Sequence, residues 1–276
     1  MLKNHFFISL ILFIFISCTK ENYPENPAVI KPEEESLTTR MTKNMDVWTD
    51  NRVINIFEEG KIRIYDKEDH TDHYTTFQLD KEAVDSIVWH IDDILHYSSG
   101  VNPFRSMTGV TFYKPGEYKF NLLVYKDNKV VKKAELMIRA VPGKDFFNID
   151  WGNPPSSSIV GQSYSYKGYR VDQTYVKKQY PYSSIDFYYE NKSAQLTPEK
   201  EKEYLLEAAS KTYSSPSLSA GNNGQAELDN KYNLLFKNKF NATTVAIWEN
   251  RSTAVALIGY PKDNIEHYRI IGEPKY

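Results

Sequence analysis

The chain has 276 residues, 41% apolar and 25% charged, the composition of a folded protein rather than a disordered one. Lys and Arg number 34 against 36 Asp and Glu, and the net charge of −2 excludes the basic footprint of a general nucleic-acid binder. A single Cys excludes an intrachain disulfide framework and a zinc site built from several thiolates.

Lys3 and His5 give a short polar start, and Phe6 to Ile16 is then apolar except at Ser9. Eleven helical residues rise about 16 Å, too little for a hydrocarbon core of roughly 30 Å. The length suits the apolar region of a signal peptide. The run ends in Phe15-Ile16-Ser17-Cys18, where a small residue precedes the only Cys. This resembles the lipobox of bacterial lipoproteins, with Phe15 where Leu is usual. The resemblance implies cleavage after residue 17 and lipidation of Cys18. Several acyl chains on one Cys would give stable anchoring.

Residues 18–46 read as a tether, with Pro24, Pro27, Pro32 and the run Glu33-Glu34-Glu35. The Lys20-Glu21 pair resembles the charged signals that send some lipoproteins to the outer face of the outer membrane. Surface exposure is therefore expected over a periplasmic-facing position. No other stretch approaches the 18 apolar residues of a membrane span.

Residues 47–141 read as strands and turns. Lys61-Ile62-Arg63-Ile64-Tyr65 alternates, and Ser86 to Ile91 follows as another strand. Tyr113-Lys114-Pro115-Gly116-Glu117 is a turn, since Pro fixes φ and Gly permits positive φ. Tyr118 to Tyr125 alternates, Lys126-Asp127-Asn128-Lys129 turns the chain, and Val130 to Val141 returns with Ala134, Leu136, Ile138 and Ala140 on one face. Several short strands at this spacing suggest a β-sandwich.

Ser86-Ile87-Val88-Trp89 with Asp92-Asp93, and Phe112 to Tyr118 with Leu122 and Val124, resemble the Trp strand and the Pro-Gly-x-Tyr hairpin of polycystic-kidney-disease (PKD) domains. The family's Gly between Trp and Asp is missing here. The resemblance implies an immunoglobulin-like sandwich that binds or spaces without catalysis.

Pro142-Gly143 marks a boundary. Residues 145–276 read as a small α+β domain with an antiparallel sheet. Ile185 to Tyr189 is a strand. Thr197 caps a helix that Pro198 opens, and Leu205, Ala208 and Thr212 keep its period. Ser214 to Asn230 is expected as a loop and Tyr232 to Phe236 as a strand. Val245 to Glu249 and Thr253 to Ile258 form a hairpin. The fold class expected is thus mainly β plus α+β.

Catalytic motifs are missing: no nucleophile elbow, P-loop or dinucleotide fingerprint occurs. Asp69-His70-Thr71-Asp72-His73 offers metal-ligand chemistry but matches no common spacing, and a solvated turn is preferred. Asp92-Asp93 alone falls short of the six to eight oxygens of a calcium site. No metal, cofactor or nucleic acid is expected. Three sequons, at Asn191, Asn241 and Asn250, read as coincidence.

Tyrosine is the distinctive residue, 21 in all. Its flat face and hydroxyl suit protein and sugar recognition, although packing of a thin core is the more economical reading. The candidate ligand-binding residues are Trp151, Tyr164, Tyr166, Tyr169, Tyr188 and Trp248. The expected function is a lipid-anchored, surface-exposed envelope protein that binds a glycan or a protein without catalysis. The alternatives are an envelope hydrolase with carboxylates in the second half, or a structural lipoprotein facing the periplasm.

Overall fold

The computed structural model describes residues 35–68, 79–92, 94–100, 107–166, 169–190 and 195–275, with the side chains of 94–100 and 159–166 left aside. The span read as a signal peptide, Cys18 and most of the span read as a tether lie outside the described residues, as do Asp69 to His73, Asp93 and the first sequon. Residues Leu37–Tyr276 form one compact unit. It begins inside the span read as tether, with helix α1 (Leu37–Lys43) and the fully buried Met45.

The described chain is mostly β, in three sheets. β1 (Met45–Thr49), β3 (Gly60–Asp66) and β6 (Met107–Val110) form an antiparallel sheet in the order β1-β3-β6. The second sheet runs β2-β8-β7-β4-β5, from β2 (Val53–Asn55), β4 (Ser86–Ile91), β5 (Ile94–Gly100), β7 (Gly116–Lys126) and β8 (Lys129–Val141). Only β2 is parallel to its neighbour, β8. The β7–β8 hairpin turns at Asp127 and Asn128, whose φ values of 50° and 59° are what a two-residue turn compatible with strand twist requires.

The alternation read in the sequence holds. Phe120, Leu122 and Val124 of β7, with Leu136 and Ile138 of β8, point inward beside Trp89, Ile62, Ile64 and Val47. Lys119, Glu135 and Lys133 point outward and pair at 2.8 and 2.9 Å.

The third sheet has seven antiparallel strands in the order β12-β13-β14-β15-β11-β10-β9. They are β9 (Ile159–Tyr166), β10 (Tyr169–Val176), β11 (Tyr182–Tyr189), β12 (Leu218–Ser219), β13 (Thr243–Glu249), β14 (Thr253–Lys262) and β15 (Ile265–Pro274). The last strand in sequence is thus the middle strand of the sheet. β14 is apolar from Ala254 to Ile258 because both its faces are covered.

Ala246, Trp248, Val255, Leu257 and Ile270 join the apolar cluster of the other two sheets, together with Leu205, Ala208 and Ala209 of helix α2 (Pro198–Tyr213). Ile247, Ala254, Ala256 and Ile271 face Leu228 and Tyr232 of helix α3 (Gln225–Leu235) and the following Phe236. The sequence reading of 214–230 as loop and 232–236 as strand is corrected here: Leu228 and Tyr232 recur one helical turn apart and dock on β14.

One apolar cluster therefore runs across the Pro142-Gly143 punctuation. The linking segment is pinned to the second half. Asp145 accepts from Trp151 N–H at 2.9 Å and from Ser252 Oγ at 2.6 Å, while the Tyr213 hydroxyl accepts from Phe147 N–H at 3.0 Å. Phe146 is fully buried against Gly272, the one residue small enough to let β15 pass beneath its ring.

Candidate functional site

Strand register assembles a polar row that crosses the seven-stranded sheet. Asp172 of β10 lies directly opposite Asp186 of β11, and Asp186 directly opposite Arg269 of β15. Like charges placed opposite each other across strands cost stability unless each is compensated. Arg170 Nε sits 3.0 Å from Asp172, and Arg269 Nε donates to Asp186 Oδ1. Ser184 Oγ donates to Asp186 Oδ2 at 3.1 Å. Burial pushes both aspartates above the usual carboxylate range despite these partners.

An aromatic ring closes each end of the row. The Arg170 guanidinium lies 4.2 Å from the centre of Tyr188, and that of Arg269 lies 4.8 Å from Tyr260. Such stacking holds a planar guanidinium and its tyrosine in one orientation. Burial, with the nearby Asp186 carboxylate, pushes the Tyr260 phenol up to about 12.

Beyond Asp186 and Arg269, β11 and β15 stop pairing. Glu201, in the first turns of α2, enters the gap. Its carboxylate accepts from Tyr268 N–H at 3.0 Å and from the Tyr189 hydroxyl at 3.1 Å, and lies 3.2 Å from His267 Nδ1. Gln195 Nε2 is 3.4 Å from His267 Nε2. A neutral imidazole with its proton on Nδ1 satisfies both contacts at once. Glu201 is 1% exposed, and burial raises its carboxyl above the ordinary value.

Tyr260 also forms one wall of an open groove of about 450 Å³ where β13 begins, β14 ends and β15 begins. Asn241, Thr243, Asn264 and Glu266 are its polar lining, and Ala242, Gly259, Pro261 and Ile265 the remainder. Asp263 and Asn264, with φ of 53° and 63°, make the tight turn at its rim. Behind Tyr260 stands Arg269, itself held by Asp186. A ring fixed in this way is a preformed surface for a ligand.

The aromatic residues proposed from sequence scatter. Tyr188 is 48% exposed and joins the row. Tyr169 and Trp248 are buried in the core, where the Trp248 indole donates to Ser214 O at 2.9 Å. Trp151 is partly buried, stacks beside Phe146 and donates to Thr253 Oγ1 at 2.8 Å. Tyr169 and Trp248 are thereby withdrawn from an external ligand. Tyr164 and Tyr166 lie on β9, outside the described side chains. Among the described residues, no group of three or more His, Cys, Asp or Glu could hold a metal ion.

Sequence reasoning missed Arg170, Asp172, Asp186, Glu201, Tyr260 and Arg269. The alternation of Tyr169 to Val176 does put Arg170 and Asp172 on one face, but their partners depend on registers between distant strands. No protein-family model, curated protein or solved structure matches the chain.

Proposed function

We propose that the chain is a lipid-anchored bacterial envelope protein, exposed outward from the outer membrane, whose folded unit binds a glycan or a protein partner without catalysis. Anchoring is supported by the apolar run Phe6 to Ile16 and the small residue before Cys18. No helix among the described residues is long and apolar enough to cross a membrane.

The first half is read as a PKD-type immunoglobulin-like sandwich. In support, one three-stranded and one five-stranded sheet share a core around Trp89, and the short β2 runs parallel to the final strand β8. Such a module spaces or presents its neighbour.

The observation that carries the binding role is Tyr260, locked by Arg269 and Asp186 at the wall of an open groove. The hydrolase alternative would look first to Asp172 and Asp186. Each of these carboxylates pairs with an arginine while burial raises it above the ordinary range, so an assay of turnover separates the two readings.

The test is binding of the full chain to arrayed glycans and envelope proteins, with Tyr260→Ala as the comparison. Retention on at least one ligand, lost in the variant, supports the reading. Turnover of an oligosaccharide by the wild type overturns it in favour of the hydrolase.

A further inference from the structure

We propose that the Tyr260 groove takes a single uncharged saccharide ring. The inference rests on the groove being the binding site put forward above, and adds the ligand's chemical class.

The lining fits a polyol. Asn241 and Asn264 each carry a donor and an acceptor on one planar amide, the pairing that neighbouring hydroxyls present. The Thr243 hydroxyl can act in either sense, and Glu266 adds an acceptor. Of the lining residues, Tyr260 offers a flat ring of the kind on which the C–H face of a sugar rests. Above Gly259 lie the Glu266 carboxylate and the Tyr268 ring, which would come within 2.8 and 3.1 Å of a Cβ there. The volume of about 450 Å³ lies within the roughly 300–1,000 Å³ range of small-molecule sites.

Charge then selects among sugars. Among the described residues that line the groove there is no Lys or Arg, and Glu266 places a carboxylate in it. The Arg269 guanidinium lies over the Tyr260 ring and is paired with Asp186. An anionic ligand such as a uronate, a sialoside or a phosphate would bring its charge toward this set with nothing to pair it.

The lining is also set before any ligand arrives. Asn264 sits at positive φ in a two-residue turn, and Tyr260 is clamped from behind. Ordering cost on binding is therefore small.

The experiment is calorimetric titration of the full chain, in detergent, with methyl glycosides of glucose, galactose, mannose and N-acetylglucosamine, and in parallel with methyl glucuronide and a methyl sialoside. Asn264→Gly is the central variant, because glycine accepts the positive φ and keeps the turn while deleting the amide. Asn241→Ala is the second, and thermal melts confirm that both fold.

We expect at least one neutral glycoside to bind, about tenfold more weakly to each variant, and the acidic ones not to bind. Acidic glycosides binding as well as neutral ones, neutral binding unchanged in both variants, or no binding at about 10 mM would each overturn the inference. If it fails while another ligand of the wild type is lost in Tyr260→Ala, the groove is still a binding site for a different class. If no ligand of the wild type responds to Tyr260→Ala, the binding reading fails with it.

Discussion

Tyr268 N–H donates to Glu201 Oε1 over 3.0 Å at the point where β11 and β15 cease to pair. A helix carboxylate thus stands in for the neighbouring strand's carbonyl. The groups facing that carboxylate are Tyr189 from β11, His267 and Tyr268 from β15 and, farther off, Tyr260 from β14. Tyr268 is itself pushed up to about 12 by burial and by the adjacent Glu266.

The pH dependence of stability follows from Glu201. Its folded value is raised above the ordinary 4.5, with burial as the main cause. Below 4.5 both folded and unfolded chains hold the proton, and the associated stability is fully present. As pH rises, the unfolded chain ionises first, and stability is lost until the folded carboxyl ionises too. Asp172 and Asp186 shift in the same sense. Urea unfolding of wild type and Glu201→Gln across this range should show wild type losing ground just above 4.5 and the difference then levelling. A difference that does not change with pH would refute this.

Arg269→Ala leaves Asp186 partly buried without its main partner. Breaking such a pair from one side costs about 3–5 kcal/mol. Adding Asp186→Asn to that variant should restore part of the loss, because the stranded charge is gone. Denaturant titrations of the single and double variants check both signs, and a single-variant loss below about 1 kcal/mol would place the pair among inconsequential surface bridges.

Gly272→Ala should destabilise the fold by about 1–3 kcal/mol, the usual cost of overpacking. A Cβ there would come within 2.1 Å of the Phe146 ring, which is fully buried. Gly221, where an added Cβ meets nothing within 4 Å, is the control. Gly221→Ala should stay within about 0.5 kcal/mol of wild type. Equal melting temperatures for the two variants would contradict the packing seen here.

The anchor is tested by Cys18→Ala. A labelled fatty acid should enter the wild-type chain and not the variant, and the variant should move to the aqueous phase on detergent partition. Label incorporated equally by both would remove the lipidation reading.

Much of the fold was legible because it depends on local pattern. Phe120, Leu122 and Val124 announce their strand by alternation, and Thr197-Pro198 announces its helix by capping, with Thr197 Oγ1 accepting from Lys200 N–H at 3.4 Å. The misreading of 232–236 has a local cause too. Five mostly apolar residues resemble a strand, and only the spacing from Leu228 to Tyr232 reveals the turn of helix. The site was not legible. Asp172, Asp186 and Arg269 meet through two registers, and Glu201 reaches Tyr268 from an element 67 residues away. Tyrosine abundance pointed at the right half of the chain. Among the described tyrosines, Tyr113, Tyr169, Tyr175, Tyr232 and Tyr268 turned out to be core.

The position of β15 in the middle of its sheet sets an order of events. During synthesis, the residues around Trp89 leave the ribosome long before Tyr268 and Ile270, which belong to the same apolar cluster. β11 and β14 likewise have no shared neighbour until Ile265–Pro274 has emerged. The chain must therefore carry open apolar surface until Ile265–Pro274 has been made. A premature stop just before Ile265 would leave β11 and β14 without the strand that joins them.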